Sequence, residues 1–463
     1  MADRKSRLFT LDKMIITLEK GGGAVNLAYD IKDIVIDFKY TESIDSPFLR
    51  VDFSIVDATD FNKMLIGGEI IHVKLTTESS TNGLTSKQPL EFKVRLFKIG
   101  STLKSERGQL YILHCTSPEA YTNEMNKVFK PFGPAGKDVD NIPKHICKEY
   151  LASPKEKTKD VNFETHSKIS FVSTNWRPVE AIAYMSDKVT RVEGSGGGKA
   201  SEKQSGFLFF ENRYGFNFKS LDALCMGDGI PKEAAIFEYT YIQQGSDPPN
   251  NGYHIIESIS YPDRANHLRN MRMGTFKTVG ISISMPRPTN SNATDSGSTE
   301  ETAPAGTIHS PRELSYNQVF SKADTIHKRK PYDLPSDLEE FDGATRIKYR
   351  ALPGLKNQVN KDDPENGTSS DTDTMAVAEY AAARYNLLQA IQLSIVVPGN
   401  SALTAGMLIK VRIPASQEKQ RSVKEDLRYS GMYLISAVTH TFTKEGLTSQ
   451  LVLTRDSVMK ETY

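Results

Sequence analysis

The sequence predicts a mainly β, α+β chain in which two antiparallel β domains are separated and interrupted by α/β insertions. Three observations carry that reading. Apolar and polar residues alternate with period two through the first quarter of the chain and again near its C-terminus. Helical spacing and helix-start signals fill the stretch between them. Runs rich in Pro, Ser, Thr, Gly and Asn mark exposed loops.

The first β domain is expected over residues 1–116. Ile34, Ile36, Phe38 and Tyr40 fall on one face of a strand, with Asp37 and Lys39 on the other. The pattern recurs at Leu49, Val51, Phe53 and Ile55, at Ile71, Val73 and Leu75, and at Leu90, Phe92, Val94 and Leu96. Leu110 to Cys115 supplies a further strand, and Asp57 to Leu65 a short helix. Such alternation lays one face on a core and leaves the other for solvent or a partner, as in a small barrel or sandwich.

A helical and mixed insertion is expected over 117–204. Ser117-Pro118-Glu119 is a helix start with proline at the first helical position. Ile142, Ile146 and Tyr150 recur at helical spacing. Asn175-Trp176-Arg177-Pro178 opens a third helix, with Val179, Ile182, Met185 and Val189 along one side. Glu193 to Lys199 is a glycine-rich loop.

The second β domain is expected from 205–243 together with 375–463. Phe207–Phe210 and Phe216–Phe218 form a hairpin about a turn, and Ala234–Ile242 another strand. An Ala-rich helix at Thr374–Ala390 precedes strands at Gln392–Val397, Met407–Ile413, Met432–Phe442 and Thr448–Thr454, with a turn at Pro398-Gly399-Asn400. The second insertion, 244–374, carries a helix at Pro262–Met271, a strand at Phe276–Ser284 and polar loops at Pro286–Gly306 and Pro353–Asp373. The two β domains are alike in kind, but their residues show no direct repeat.

Composition narrows the function. The 463 residues carry 58 basic and 57 acidic side chains, a net charge of +1, so the chain lacks the basic excess of a sequence-independent nucleic-acid binder. Mean hydropathy is −0.43, that of a soluble globular chain with extended loops. No run reaches the roughly 18 apolar residues of a membrane span, and stable membrane insertion is not expected. Asp12 and Lys13 interrupt the text after the charged N-terminus, so no signal peptide is expected. Cys115, Cys147 and Cys225 make no disulfide framework and read as buried thiols, in keeping with assembly in a reducing cytoplasm.

The motifs point to no catalytic, cofactor-binding or metal-ligating residue. Gly198-Lys199 is followed by Ala200, which cannot hold magnesium as a P-loop requires, and the dinucleotide pattern would place its last glycine on Lys199. His145 and Cys147 stand two apart on a predicted helix and point to different sides, so they do not form half of a zinc site. Asp371-Thr372-Asp373 leads to Met375 with no loop glycine, which fails as a calcium loop. There is no Gly-x-Ser-x-Gly elbow. Acidic pairs such as Glu339 and Glu340 lie in charged surface text, and no pair is singled out for glycan cleavage. The basic run His327-Lys328-Arg329-Lys330 reads as a solvated loop. Trp176 reads as a packing anchor, and Phe207, Phe209, Phe210, Phe216 and Phe218 as core or subunit contact.

The segment Phe207-Leu208-Phe209-Phe210-Glu211-Asn212-Arg213-Tyr214-Gly215-Phe216-Asn217-Phe218-Lys219-Ser220-Leu221 resembles a hairpin of the baseplate hub proteins of contractile-tailed bacteriophages, where it precedes a short helix. Asn175-Trp176-Arg177-Pro178 resembles the start of the helix before that hairpin. Val397-Pro398-Gly399-Asn400, Ser430-Gly431-Met432-Tyr433-Leu434-Ile435, His440 and Leu453-Thr454-Arg455-Asp456-Ser457 resemble the family's C-terminal barrel. These motifs cover roughly residues 170–460.

The resemblance implies two tube-type β-barrel domains per subunit and a homotrimer that presents them as a pseudo-sixfold ring. Such a hub adapts a sixfold tail tube to a threefold spike and forms part of a DNA channel. The implied partners are the tail spike protein, tail tube proteins and other baseplate proteins such as wedge components, with DNA only as passing cargo. The implied location is the tail baseplate of the virion, after synthesis in the host cytoplasm, with no enzymatic activity and no cofactor. The insertions would decorate the ring or contact spike and baseplate. A conduit should not hold its cargo, so a polar or mildly acidic lumen is expected. Two other readings are a tail-associated cell-wall hydrolase and the spike component of a type VI-like injection machine, whose N-terminal half resembles phage hubs. No needle-like repeat follows Thr454-Arg455-Asp456, so a needle is expected on a separate polypeptide.

Overall fold

Alternating sequence becomes sheet almost at once. The computed structural model describes residues 9–18, 27–81, 84–100, 102–105, 108–132, 141–152, 159–167, 169, 171–192, 204–228, 236–242, 254–262, 267–285, 312–331, 346–353, 374–414, 425–426 and 428–459. The N-terminal part is built from β1 (Phe9–Leu18), β2 (Leu27–Asp30), β3 (Val35–Ser43), β4 (Arg50–Asp57), β5 (Ile70–Thr81), β6 (Leu84–Ile99), β7 (Leu103–Ser105) and β8 (Gly108–Thr116). Their order is β3–β4–β8–β6–β5–β1–β2, antiparallel throughout, and β7 lies beside β8 as a continuation of β6. Val51, Phe53, Ile55, Ile71, Val73, Leu75, Val94 and Leu96 all face one core. Ile36 departs from the expected pattern. A β-bulge between Val35 and Asp37 shifts the register against β4, so Val35 is buried and Ile36 is exposed. The helix expected at Asp57–Leu65 is a single 3-10 turn, Phe61–Met64.

The first insertion holds β9 (Val128–Phe132), β10 (Val161–Phe163), β11 (Phe171–Trp176), β12 (Phe207–Asn212) and β13 (Gly215–Ser220). Helices run over Pro118–Met125 and Pro178–Met185, each with proline in its first turn, and over Ile142–Ile146, which continues as one π-helical turn. The aromatic hairpin β12–β13, expected in the second β domain, pairs instead with β10. The reason is that β12 has no free face. Phe207 and Phe209 pack on Ile182, Met185 and Val189 of the insertion, while Phe210 packs on Leu224, Ala405 and Leu434 behind it. A strand apolar on both sides is a plate between two layers, and alternation cannot say which layer it pairs with.

The remaining strands are β14 (Phe237–Tyr241), β15 (Ile255–Ile256), β16 (Ser258–Ser260), β17 (Lys277–Met285), β18 (Arg312–Ser315), β19 (Arg346–Pro353), β20 (Ile391–Pro398), β21 (Leu408–Arg412), β22 (Gly431–Thr443) and β23 (Gly446–Arg455). β17 pairs with β18 and β19 as a separate small sheet. The others run β15–β14–β21–β22–β23–β20–β16, and β22 also pairs with β3, so the N- and C-terminal strands form one 15-stranded sheet. Residues 255–260, assigned from sequence to the second insertion, thus contribute strands to the C-terminal half. Among the described residues the expected closed barrels are not formed, and in the N-terminal half no ladder joins β1 to β3. In the C-terminal half the returning segment is split at Glu257, with Ile255–Ile256 on β14 and Ser258–Ser260 on β20.

The helix Thr374–Leu388 matches the expected Ala-rich helix, and the one expected from Pro262 spans His267–Met273. The glycine-rich loop at 193–199, the loop at 286–306, Glu339, Glu340 and Asp371–Asp373 lie outside the described residues. Among the described residues no helix is long and apolar enough to cross a membrane.

Candidate functional site: a repeated β unit and its joint

The two halves of the large sheet share one strand order. Taken in chain order, β1, β3, β4, β5, β6 and β8 are the first to sixth strands of one unit, and β14, β16, β20, β21, β22 and β23 those of the other. In both, the spatial order is first, fourth, fifth, sixth, third, second. The pairing registers match residue by residue. Arg95↔Thr116 and Leu96↔Cys115 in one hairpin correspond to Leu434↔Thr454 and Ile435↔Leu453 in the other, and each hairpin has a bulge immediately after. Following the ladders outward sets Val51, Phe53 and Ile55 on Leu393, Ile395 and Val397, and Ile71, Val73 and Leu75 on Ile409, Val411 and Ile413. All twelve side chains are buried. The first strands differ in direction, since β1 is antiparallel to β5 and β14 parallel to β21.

Two glycines anchor this repeat. Gly68 N–H donates to Leu96 O at 2.7 Å and Leu96 N–H to Glu69 O at 2.8 Å; at the matching place Gly406 N–H donates to Ile435 O at 2.9 Å and Ile435 N–H to Met407 O at 2.8 Å. Gly68 and Gly406 have φ of 94° and 86°, a region that L side chains rarely adopt. A Cβ on Gly406 would also stand 3.0 Å from the Phe210 ring. The Gly406→Ala variant is therefore expected to lose about 1–2 kcal/mol of stability, read from its urea midpoint.

Beyond its bulge, β22 stays paired with β23 and gives its other edge to β3, from Ala437↔Ser43 to Thr443↔Asp37. This joint fuses the units into one sheet. Phe38 and Phe442 stack across it at 4.4 Å and 11°. Its polar lock is Glu42, a buried carboxylate on the same face as Phe38 and Tyr40. Glu42 accepts from the Tyr40 hydroxyl at 2.8 Å, Arg213 N–H at 2.7 Å and Ala405 N–H at 3.0 Å. Burial pushes its pKa up to about 7 against the pull of those donors. The Arg213 guanidinium donates to Pro89 O of β6 at 2.9 Å and to Ser401 O of the other unit, so the β12–β13 turn clips the units together.

His440, opposite Tyr40 in the joint, donates through Nε2 to Leu403 O at 3.1 Å, which leaves Nδ1 to accept from the Ser449 hydroxyl at 2.8 Å. Burial pushes its pKa down to about 4 from an ordinary 6.5, so the ring is neutral. The stability this gives is present above pH 6.5 and is lost as pH falls toward 4, up to about 3 kcal/mol. Glu42 acts oppositely, losing stability as pH rises from 4.5 to 7. The His440→Gln variant keeps only the second slope. Its melting temperature is expected to rise relative to the parent as pH is lowered from 7 to 4.5; an unchanged difference would refute the assignment.

A second buried network ties the insertions to the C-terminal unit. Arg384, on the helix Thr374–Leu388, bonds Asp222 at 3.1 Å and Asp324 O at 2.9 Å, and forms an ion pair with Asp456 at 2.6 Å. Arg384, Asp222 and Asp456 are all fully buried. The Tyr380 hydroxyl adds a bond to Asp222 at 3.2 Å. The motif Asp456-Ser457 receives Ile326 N–H at 3.1 Å and His327 N–H at 2.6 Å, and the His327 ring accepts Met432 N–H at 3.2 Å. The basic run expected as a solvated loop is thus pinned at His327, with Lys328 and Arg329 exposed.

Little here resembles catalysis. His145 meets Glu149 at 3.0 Å, whereas Cys147 is buried in the insertion core, so the pair is not brought together. All three cysteines are buried and unpaired. Among the described residues no three His, Cys, Asp or Glu side chains converge on a metal position. Trp176 stacks on Phe171 and packs on Tyr184, as an anchor does. One cleft of about 330 Å³ lies beside the β12–β13 turn and brings together Glu119, Glu211 and Lys159. The ammonium bridges the carboxylates, at 2.7 Å from Glu119, and the other Glu211 oxygen takes Leu49 N–H at 3.1 Å and the Ser117 hydroxyl. Both Glu211 oxygens are engaged, which suits a structural lock better than a group that must take a proton from water.

Sequence reasoning singled out neither Glu42 nor Arg384, and named Glu211 and Arg213 only as part of the hairpin motif. A signal existed for Glu42, which continues the period-two face of Phe38 and Tyr40 and so places a charge on a core position.

No family model matches the chain, and no curated protein matches it. Among solved structures it is similar to the 43 kDa tail protein of prophage MuSo2 from Shewanella oneidensis, with TM-score 0.48 and 10% identity over 96% of this chain and 99% of that one. It is similar to the tail protein from Neisseria meningitidis MC58, with TM-score 0.48 and 9% identity over 96% and 98%. It is also similar to a chain of the Francisella PdpA–VgrG complex, with TM-score 0.40 and 10% identity over 98% of this chain and 54% of that one.

Proposed function

We propose that this protein is the structural hub of a contractile tail baseplate, adapting a sixfold tail tube to a threefold spike. The observation that carries this reading is the repeated strand order, with its matched registers and its built-in joint. A chain that holds the same unit twice lets three copies present six similar faces. In this reading residues 1–116 form the first unit, and the strands within 237–260 and 391–455 the second. The insertions, 117–236 and 261–390, face the spike and other baseplate proteins. The tail spike, the tube proteins and further copies of the chain are the partners. DNA passes through a polar lumen as cargo, and the chain acts without catalysis as part of a virion tail.

Native mass spectrometry and electron microscopy of the pure chain, alone and with its spike and tube partners, test this. A threefold particle with six similar densities is expected. A chain that stays monomeric with every tail component would overturn it. A zymogram on peptidoglycan separates the hydrolase reading, which predicts clearing by the pure protein where the hub reading predicts none.

A further inference from the structure

The joint inside the chain has two unused counterparts, one in each unit. In the C-terminal unit, the fifth strand passes its bulge and gives its outer edge to the second strand of the other unit. In the N-terminal unit, the same stretch is Lys98 to Ser105, formed by the end of β6 and by β7. It is held on one side by β8, with Lys98↔His114 and Leu103↔Leu110. Among the described residues no strand pairs with its other side. The contrast in burial shows what is missing. Ser436 and Val438 are buried in β22, whereas Phe97, at the position of Ser436, is 45% exposed and Ile99, at the position of Val438, is half-buried; Leu103, further along the same flank, is exposed.

The receiving edge is left over in the same way. β3, the second strand of the N-terminal unit, is flanked by β4 and β22. β16, the second strand of the C-terminal unit, is flanked by β20, and no described strand lies on its other side. Ser258 and Ser260 are exposed there. Matched registers place Ser258 on Asp37, Ile259 on Phe38 and Ser260 on Lys39.

We infer that Leu103–Ser105 of one copy pairs antiparallel with Ser258–Ser260 of a second copy of this chain, Leu103 opposite Ser260 and Ser105 opposite Ser258, repeating between subunits the joint that β22 and β3 make within one. The register is inherited from Thr441↔Lys39 and Thr443↔Asp37. The two edges are different surfaces, so the contact is head-to-tail and propagates into a ring rather than a twofold dimer. It covers strand edges that otherwise invite uncontrolled pairing, and backbone ladders supply the affinity. This rests on the hub reading and deepens it by naming the subunit contact.

The test is the full chain carrying Leu103→Cys with Ser260→Cys. Opposed residues on antiparallel strands stand about 4.5–5.5 Å apart at Cα, within disulfide reach. Mild oxidation is expected to give covalent multimers up to the closed ring on non-reducing gels. Either single variant should give at most a small fraction of dimer, since the three native cysteines are buried. Lys104→Pro, which adds a proline to an exposed edge, should weaken self-association at least tenfold with a parental melting temperature. Threefold particles without the cross-link, and unaffected by Lys104→Pro, would overturn this contact and leave the hub reading standing. A chain that forms no assembly under any condition would sink both.

Discussion

Replacing Arg384 with methionine is expected to lower the unfolding free energy by about 3–5 kcal/mol, because it strands buried carboxylates without a counter-charge. Arg384 is the only cation that reaches both Asp222 and Asp456 among the described side chains, and all three are fully buried. Burial already holds the Asp222 carboxyl above the ordinary carboxylate range, with Arg384 as the leading opposing pull. The same substitution frees Asp324 O, which the guanidinium caps at 2.9 Å. Urea unfolding read by far-UV circular dichroism measures the loss. Combining Arg384→Met with Asp222→Leu and Asp456→Leu removes every charge of the trio, and should recover much of it. A loss below about 1 kcal/mol in the single variant would show that water reaches the site.

Truncating Phe442 to alanine is expected to cost about 3–5 kcal/mol, the range for a buried aromatic whose surroundings cannot collapse. Phe442 is held on three sides, by Phe38 at 4.4 Å, Phe9 at 5.2 Å and His440 at 6.4 Å. The ladders of β3 and β23 fix the backbone on either side, so the cavity persists. A double-mutant cycle with Phe38→Ala separates the stack from mere burial; a coupling of about 0.5–1.5 kcal/mol is expected. The same variants should split a single unfolding transition into two, because the joint is what makes the units melt together.

The strands that were legible in the sequence are those whose alternation is long enough to hold a register. Val51, Phe53 and Ile55 read as core from the text and lie in the core, and the strand expected at Gln392–Val397 buries Leu393, Ile395 and Val397. β15 and β16 were not legible, because five residues of strand among serines owe their conformation to β14 and β20 rather than to their own pattern. The repeat was hidden for another reason. Matched positions share apolarity but rarely identity, as with Cys115 and Leu453, because a sheet core selects side-chain volume and shape over residue type. Gly68 and Gly406 keep identity because a backbone angle demands it. The polar groups of the joint were invisible singly, since Arg213 lies 171 positions from Glu42 and only the fold brings them together. The aromatic hairpin was located correctly along the chain and attached to the wrong layer, which two-sided burial made undecidable.

The ladder between β22 and β3 joins residues as far as 406 positions apart, at Asp37 and Thr443. On the ribosome, the N-terminal sheet therefore emerges with the flank of β3 bare. At about 5–20 residues per second, its closing partner follows roughly 20–80 s later. For that interval a nascent chain displays a ready template to neighbours on the same polysome. A holding chaperone, or slow emergence of the intervening insertions, has to keep it from pairing with the wrong strand.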